Sequence, residues 1–299
     1  MTTAAAAAEQ AEPEPVENRP VVVGLDGSPA ALVALDWAAE EARTRGCGLE
    51  LVYVHPGDRY ALAVIDIAPQ ELADDIFDEA LDRLASRGFG DLEVQTVLRF
   101  GIVPRVLLRE SIGAPMLVVG RQGRGKLAEL VLGSTALATA AHARVPVTVV
   151  PDTWEPGSTP RRRVLLGVDG SQRGESAVEY AFALAAARGA GIVAVHVISL
   201  PYAYPADRPL RSDVAHFERA AENVFDNSVH PWRTKYPNVE VTTATEYGHP
   251  AAILAEYAKD VDLAVIGGRG YGRVTGMLLG SIARSILRQM PVPVTVVRD

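Results

Sequence analysis

The sequence has almost no cysteine and no excess of basic residues. Cys47 is the only cysteine among the 299 residues, which excludes an internal disulfide and a cysteine-based zinc site. Lysine and arginine total 29 against 37 aspartate and glutamate residues, giving a formal net charge of -8. This balance argues against extensive binding to nucleic acid or to anionic lipid, because both attract an excess of positive charge.

Long apolar runs are also missing. No stretch approaches the roughly 18 apolar residues that a membrane-spanning helix needs. Residues 1–19 are rich in alanine, glutamate and proline and lack a basic n-region, so they do not resemble a secretory signal. We therefore expect a disordered tail over residues 1–19 and a cytoplasmic protein without a membrane span.

The familiar catalytic and metal-binding patterns are absent as well. The six histidines include no pair at i,i+4 spacing, and no G-x-S-x-G nucleophile elbow occurs. Asp26 and Asp169 could be read as catalytic acids, but a turn-fixing or ligand-binding carboxylate is the simpler interpretation. We therefore predict no catalytic residue and no protein-bound metal.

The sequence contains an internal duplication. VVVGLDGS at 21–28 recurs as VLLGVDGS at 164–171, and VPVTVV at 145–150 recurs unchanged at 292–297. Conserved order of the repeated blocks indicates two copies of one domain. We predict a domain over 20–151, a proline-rich linker over 152–162 and a second domain over 163–299.

Each copy alternates short apolar strands with alanine-rich helices. Strands that are apolar throughout, separated by helices, predict a parallel sheet that is covered on both faces. The predicted fold is α/β, with two tandem, doubly wound, open parallel sheets of five strands each. Such sheets bind ligands beyond the carboxyl ends of their strands, where the strand order reverses.

A long glycine-containing loop follows the fourth strand of each copy. The first reads Gly120-x2-Gly123-x9-Gly133-Ser134, and the second repeats the spacing from Gly267 to Ser281. Glycine allows close approach of backbone, and the N-terminus of the following helix favours an anion, so the loops suit phosphate. The serine can cap that helix or turn toward a phosphate oxygen or magnesium. Positive charge is available from Arg121, Arg124, Lys126, Arg269 and Arg273.

The stretch Gly120-x4-Gly125-Lys126 partly matches the Walker A motif. That motif requires serine or threonine next, to ligate magnesium, but Leu127 follows the lysine. The second copy has Arg273 in place of the lysine. We therefore do not expect a P-loop NTPase.

The glycine loops and the G-x-D-G-S turns together resemble the ATP-binding branch of the universal stress protein family, in the tandem form found in actinobacteria. The resemblance implies a Rossmann-like fold of the adenine nucleotide alpha hydrolase type, with ATP and magnesium in each half. Adenine would meet the backbone near Val52 and Val195. The other residues that the resemblance assigns to the first site are Gly24, Asp26, Gly120, Arg121, Gln122, Gly123, Arg124, Gly125, Lys126, Gly133, Ser134 and Thr135. Those of the second site are Gly167, Asp169, Gly267, Gly268, Arg269, Gly270, Tyr271, Gly272, Arg273, Gly280, Ser281 and Ile282.

Three functions fit this pattern. The first is a nucleotide-dependent regulator of a stress response, acting on a protein partner that the sequence does not identify. The second is a slow ATP-using enzyme, an ATPase or a phosphoryl or adenylyl transferase, although neither copy shows a general base. The third is a dimerising scaffold with vestigial sites, which the intact glycines in both halves disfavour.

The repeated VPVTVV segment is the last strand of each copy and should lie at a sheet edge. An apolar, β-branched edge strand invites aggregation unless something covers it. We predict that 145–150 pairs with 292–297 across a pseudo-two-fold axis, within the limits set by Pro146 and Pro293. This arrangement would leave a second surface for a homodimer of tandem chains.

Overall fold

The computed structural model describes residues 19–57, 69–123, 132–155, 162–199, 211–269 and 279–299. Strands and helices alternate along the first half. Its strands are β1 (Val21–Leu25), β2 (Leu49–His55), β3 (Val94–Phe100), β4 (Leu117–Gly120) and β5 (Val147–Val150). Its helices are α1 (Pro29–Arg45), α2 (Pro69–Ser86), α3 (Val103–Glu110) and α4 (Ser134–His142).

The second half repeats this order. Its strands are β6 (Arg163–Val168), β7 (Gly191–Ile198), β8 (Val241–Tyr247), β9 (Leu263–Gly267) and β10 (Val294–Val297). Its helices are α5 (Glu175–Arg188), α6 (Arg211–Ser228), α7 (His230–Lys235), α8 (Pro250–Tyr257) and α9 (Ser281–Gln289).

Each half is an open parallel sheet, and the two sheets are continuous. The strand order is β3-β2-β1-β4-β5-β10-β9-β6-β7-β8, with parallel pairing inside each half. The order reverses between β1 and β4, and again between β6 and β9, which defines a switch point in each half. The predicted doubly wound fold is confirmed, and the two predicted sheets join into one of ten strands.

The sheet is covered on both faces by apolar side chains. Val21 and Val23 of β1 belong to one buried cluster, together with residues of α1 and α5. Val22, which points to the other face, belongs to a second cluster with residues of α3, α4 and α9. This alternation explains why the inner strands β1, β4 and β9 carry no polar side chain.

The seam between the halves is an antiparallel pair of the two VTVV strands. Val147, Thr148 and Val149 stand opposite Val296, Thr295 and Val294, and the Oγ1 atoms of the two buried threonines are 2.8 Å apart. The predicted pairing of 145–150 with 292–297 is confirmed. Each preceding proline stays outside this ladder, and its carbonyl oxygen accepts a hydrogen bond within its own half.

A second contact between the halves joins α1 and α5. The buried carboxylate of Glu41 accepts hydrogen bonds from Arg45 of its own helix and from Arg188 of α5. Arg188 lies over the ring of Trp37, and Arg45 lies over the ring of Tyr180. Burial, with a smaller opposing effect of Arg45, raises the pKa of Tyr180 to about 12.

The predicted tail and linker fall largely outside the described residues. These exclude 1–18 and 156–161, so the division into domains at 20–151 and 163–299 remains a prediction. Within the described ranges, no helix is both long and apolar enough to cross a membrane.

Candidate functional site

The first candidate site lies at the switch point beside β1 and β4. The turn after β1 is held by Asp26, whose Oδ1 accepts a hydrogen bond from the Ser28 amide at 3.0 Å. Ser28 in turn caps α1, because its hydroxyl oxygen accepts from the Ala31 amide. The structure thus assigns Asp26 the turn-fixing role that the sequence suggested for it.

The glycine loop packs directly against this turn. A β-carbon on Gly123 would lie 2.7 Å from Asp26 Oδ2, and one on Gly120 would lie 2.8 Å from the Ala30 carbonyl oxygen. Either contact is too short for a real side chain. The fold therefore brings together two motifs that are almost 100 residues apart; a side chain at Gly120 would meet backbone, and one at Gly123 would displace the Asp26 carboxylate.

The two ends of the loop are tied to each other. The Arg121 amide donates to Val150 at the end of β5, and the Arg121 carbonyl oxygen accepts from the Gly133 amide, both at 2.8 Å. Gly133 is the N-cap of α4 and offers no side chain to the first turn. The N–H groups of that turn have no partner within the helix, so Ser134 begins the helix with donors directed at the site.

The Arg121 side chain contacts residues at the seam between the two halves. Its guanidinium donates to Asp152 and, at 3.2 Å, to the carbonyl oxygen of Met290 in the other half. Arg121 is only 8% exposed. Its charge is therefore engaged at the seam, between the Asp152 carboxylate and the Met290 carbonyl oxygen.

The second candidate site repeats this arrangement of turn and loop, with Asp169 in the position of Asp26. Its Oδ1 accepts from both the amide and the hydroxyl of Ser171, at 2.9 and 2.8 Å. The Gly268 amide donates to Val297, and the Gly268 carbonyl oxygen accepts from the Gly280 amide, at 2.8 and 3.0 Å. These bonds match those of Arg121 in the first half, so the two loops start and end in the same way.

The remaining predicted residues divide into two groups. Gly24 and Gly167 lie within β1 and β6, Gly267 ends β9, and Thr135 and Ile282 are the second residues of α4 and α9. Gln122 and Arg269 lie at the starts of the two loops. Seven predicted residues lie outside the described ranges, so their role stays a prediction: Arg124, Gly125, Lys126, Gly270, Tyr271, Gly272 and Arg273.

Two polar groups near the first site are buried without a partner in the described part of the chain, and one of them, His55, was not singled out from the sequence. His55 ends β2, and its Nδ1 is buried without a hydrogen-bond partner among the described residues; the same holds for Nε2 of Gln122. Both residues lie at the carboxyl edge of the sheet. A polar residue closing an apolar strand was the only signal for His55.

The second site differs in its electrostatics. Burial lowers the pKa of Arg298, and the nearby charge of Arg269 lowers it further. The described residues contain no cluster of three or more histidine, cysteine, aspartate or glutamate side chains that would hold a metal ion.

Comparison with known proteins gives a consistent result. The profile of the Universal stress protein family matches residues 17–151 and again residues 160–298. A universal stress protein of Mycolicibacterium smegmatis is 33% identical over 288 residues, covering 93% of this chain and 96% of the relative. One from Mycobacterium tuberculosis is 31% identical over 310 residues, covering 94% and 95%.

The fold is shared with solved structures. The crystal structure of a universal stress protein from Archaeoglobus fulgidus superposes with a TM-score of 0.66, at 20% identity, covering 94% of this chain and 96% of that one. With two profile matches, relatives above 30% identity along most of the chain, and this common fold, the chain belongs to the universal stress protein family.

Proposed function

We propose that each half binds one ATP with magnesium, and that the protein is a nucleotide-dependent regulator of a stress response. One observation carries the proposal. In both halves, a glycine loop that begins a helix is joined by matching hydrogen bonds to the end of the last strand, beside an aspartate turn. This frame offers backbone amides and a helix N-terminus to a phosphate chain.

The rest of the site fits an adenosine group. We place the adenosine beyond the carboxyl ends of β1 and β2, where adenine would meet the backbone near Val52. Asp26 and Asp169 then border the ligand while holding their turns. Phosphate charge is balanced by magnesium and by Arg124, Lys126, Arg269 and Arg273, and not by Arg121.

A regulator is favoured over an enzyme because the sequence of neither half shows a general-base motif or a second-substrate motif. Without a general base, a site forgoes roughly 10²–10⁴-fold in rate, so ATP is held and hydrolysed slowly at most. Bound ATP would favour one conformation of the chain, and that conformation would bind a protein partner. We further propose that the tandem chains form a homodimer through a surface other than the β5–β10 seam.

The proposal is tested by titrating nucleotide-free protein with MgATP in a calorimeter. The expected stoichiometry is two ATP per chain. Gly123→Glu and Gly270→Glu should each reduce it to one, since each introduces a side chain and a negative charge where phosphate meets backbone. A stoichiometry near zero for the unmodified protein would refute the proposal.

The same protein distinguishes the alternatives. Steady ATP turnover above about 1 s⁻¹, the low end for typical enzymes, would favour the enzyme. Folded protein that binds no ATP and still associates would favour the scaffold.

A further inference from the structure

Each half extends one arginine across the seam to the end of a helix in the other half. Arg121 of the first loop donates to the carbonyl oxygen of Met290, which caps the C-terminus of α9. Arg298, directly after β10, donates to the carbonyl oxygen of Ala141 in the last turn of α4. The two contacts are therefore reciprocal in space.

The two arginines are not equivalent in the repeat. With the offset of the VPVTVV blocks, Arg121 corresponds to Gly268, and Arg298 corresponds to Pro151. Duplication of one domain does not by itself produce this pair. The C-terminal ends of the equivalent helices α4 and α9 are thus contacted by arginines from different positions of the repeat.

In the second half, Gly268 makes room for the stem of Arg298. A β-carbon on Gly268 would lie 2.6 Å from Arg298 Cγ and 3.1 Å from its Cδ. The start of the second loop therefore rests on Arg298, just as the start of the first loop is Arg121 itself. Movement of either loop start must move the arginine that crosses the seam.

Each helix that one of these arginines contacts begins at the candidate site of the half that does not supply the arginine. Helix α9 starts at the second site and ends under Arg121, while α4 starts at the first site and ends beside Arg298. Both helices have nine residues and are about 14 Å long. A short helix is stiff, so a shift at one end is transmitted to the other.

The contacts are strong enough to transmit a change. The last carbonyl groups of a helix lack partners within it, and a cation there is favourable. Arg121 is nearly buried and its charge is paired with Asp152, so it cannot leave these partners without a desolvation cost.

We propose that Arg121 and Arg298 couple the two sites, so that a nucleotide bound in one half raises the affinity of the other. The inference rests on the proposed function. A ligand that orders one loop start also fixes its arginine and the far helix, which leaves less to be ordered when the second ligand binds. The coupling must be reciprocal.

The experiment compares affinities in the full-length chain by calorimetry with MgATP. Gly270→Glu isolates the first site and Gly123→Glu isolates the second, each measured with the other site empty. For independent sites, the product of the two dissociation constants of the unmodified chain equals the product of the two single-site constants. We expect the unmodified product to be smaller by at least about five-fold.

The ratio of interest is the product of the two single-site constants divided by the product for the chain with both sites. The double variant Arg121→Met/Arg298→Met should bring this ratio to about one, when it is measured with its own pair of single-site variants. Arg298→Met alone removes one of the two arginine contacts across the seam, that to Ala141, and should reduce the ratio partially, which provides a test if the double variant does not fold. Arg43→Met is the matched control, because its partners Gly88 and Asp91 lie in the same half; it should leave the ratio unchanged.

The outcomes separate the two proposals. Two ATP per chain with a ratio near one in the unmodified protein would overturn the coupling and leave the proposed function intact. A ratio that persists in both arginine variants would also overturn it. The absence of ATP binding in every variant would overturn the proposed function together with the coupling.

Discussion

At the scale of single residues, the contact between Gly123 and Asp26 joins the glycine loop to the turn of the first site. A β-carbon would approach the carboxylate to 2.7 Å, so even Gly123→Ala must displace the aspartate or the loop. We expect this variant to weaken ATP binding in the first half by about ten-fold, equivalent to ~1.4 kcal/mol, as measured by calorimetry in the Gly270→Glu background.

Gly90→Ala provides the matched control, since a β-carbon there meets Ala85 at an ordinary 3.7 Å. It should leave the affinity unchanged. If Gly123→Ala bound ATP as well as the control did, the close approach of loop and turn would have no role in binding.

Arg121 makes a contact that the sequence did not predict. An arginine between two loop glycines suggests a phosphate ligand, and nothing local contradicts that interpretation. Its actual partner Met290 is 169 residues away in the chain, and the contact exists only because the two halves share a sheet. A long-range contact of this kind leaves no periodic signal in the sequence.

At the scale of elements, α1 and α2 are joined by a buried ion pair. Asp36 is fully buried in α1, and Arg83 of α2 donates to both of its carboxylate oxygens, at 2.9 and 2.7 Å. Removing one partner of such a pair leaves a buried charge without its counterion. We expect Arg83→Ala to lower the free energy of unfolding by about 3 kcal/mol, as measured by urea denaturation.

Lys259→Ala serves as the comparison, because Lys259 and Glu256 form an exposed pair that should contribute under about 1 kcal/mol. Similar losses for the two variants would mean that Arg87, 3.8 Å from Asp36, takes over the role of Arg83.

The elements themselves were largely predictable. The glycines placed after the first helix of each copy, Gly46 and Gly189, both adopt the left-handed conformation that ends a helix. The buried residues of α2, from Ala73 to Leu84, recur at helical spacing in the sequence. The repeat and the apolar edge strand together predicted the β5–β10 pairing, because each signal can be recognised within a short stretch of sequence.

At the scale of the whole molecule, Glu41 makes the stability of the interface depend on pH. Burial alone would raise its pKa, but Arg188 and Arg45 outweigh burial and hold the pKa below its ordinary value. A lowered folded-state pKa stabilises the protein above the unfolded pKa of about 4.3, and this contribution is lost as the pH falls through the folded value. Acid should therefore weaken the α1–α5 contact.

Urea denaturation between pH 7 and pH 3 measures this effect. Glu41→Gln should be less stable at pH 7, by about 3 kcal/mol, and its stability should fall less steeply below pH 5. Asp91→Asn, which alters an exposed pair with Arg43, should keep the original slope. An unchanged slope in Glu41→Gln would show that other carboxylates determine the acid sensitivity.

The contact between α1 and α5, which contains Glu41 and Arg188, should determine which halves associate when the halves are expressed as separate proteins. The VPVTVV strands are identical in both halves, so the sheet seam can form equally well in all three pairings. The helix contact differs, because Leu184 occupies the position in α5 that Glu41 has in α1, while Arg188 corresponds to Arg45. Two copies of the second half would bring two Arg188 side chains together without a carboxylate.

We therefore expect residues 160–299 to self-associate weakly and to form a 1:1 complex with residues 20–155 on mixing, as measured by sedimentation velocity. Leu184→Glu, which supplies the missing carboxylate, should strengthen self-association of the second half by about ten-fold or more, since a desolvated, hydrogen-bonded charge pair contributes more than an exposed one. Second halves that associate as tightly as the mixed pair, and that gain nothing from Leu184→Glu, would show that the sheet seam alone determines how the halves meet.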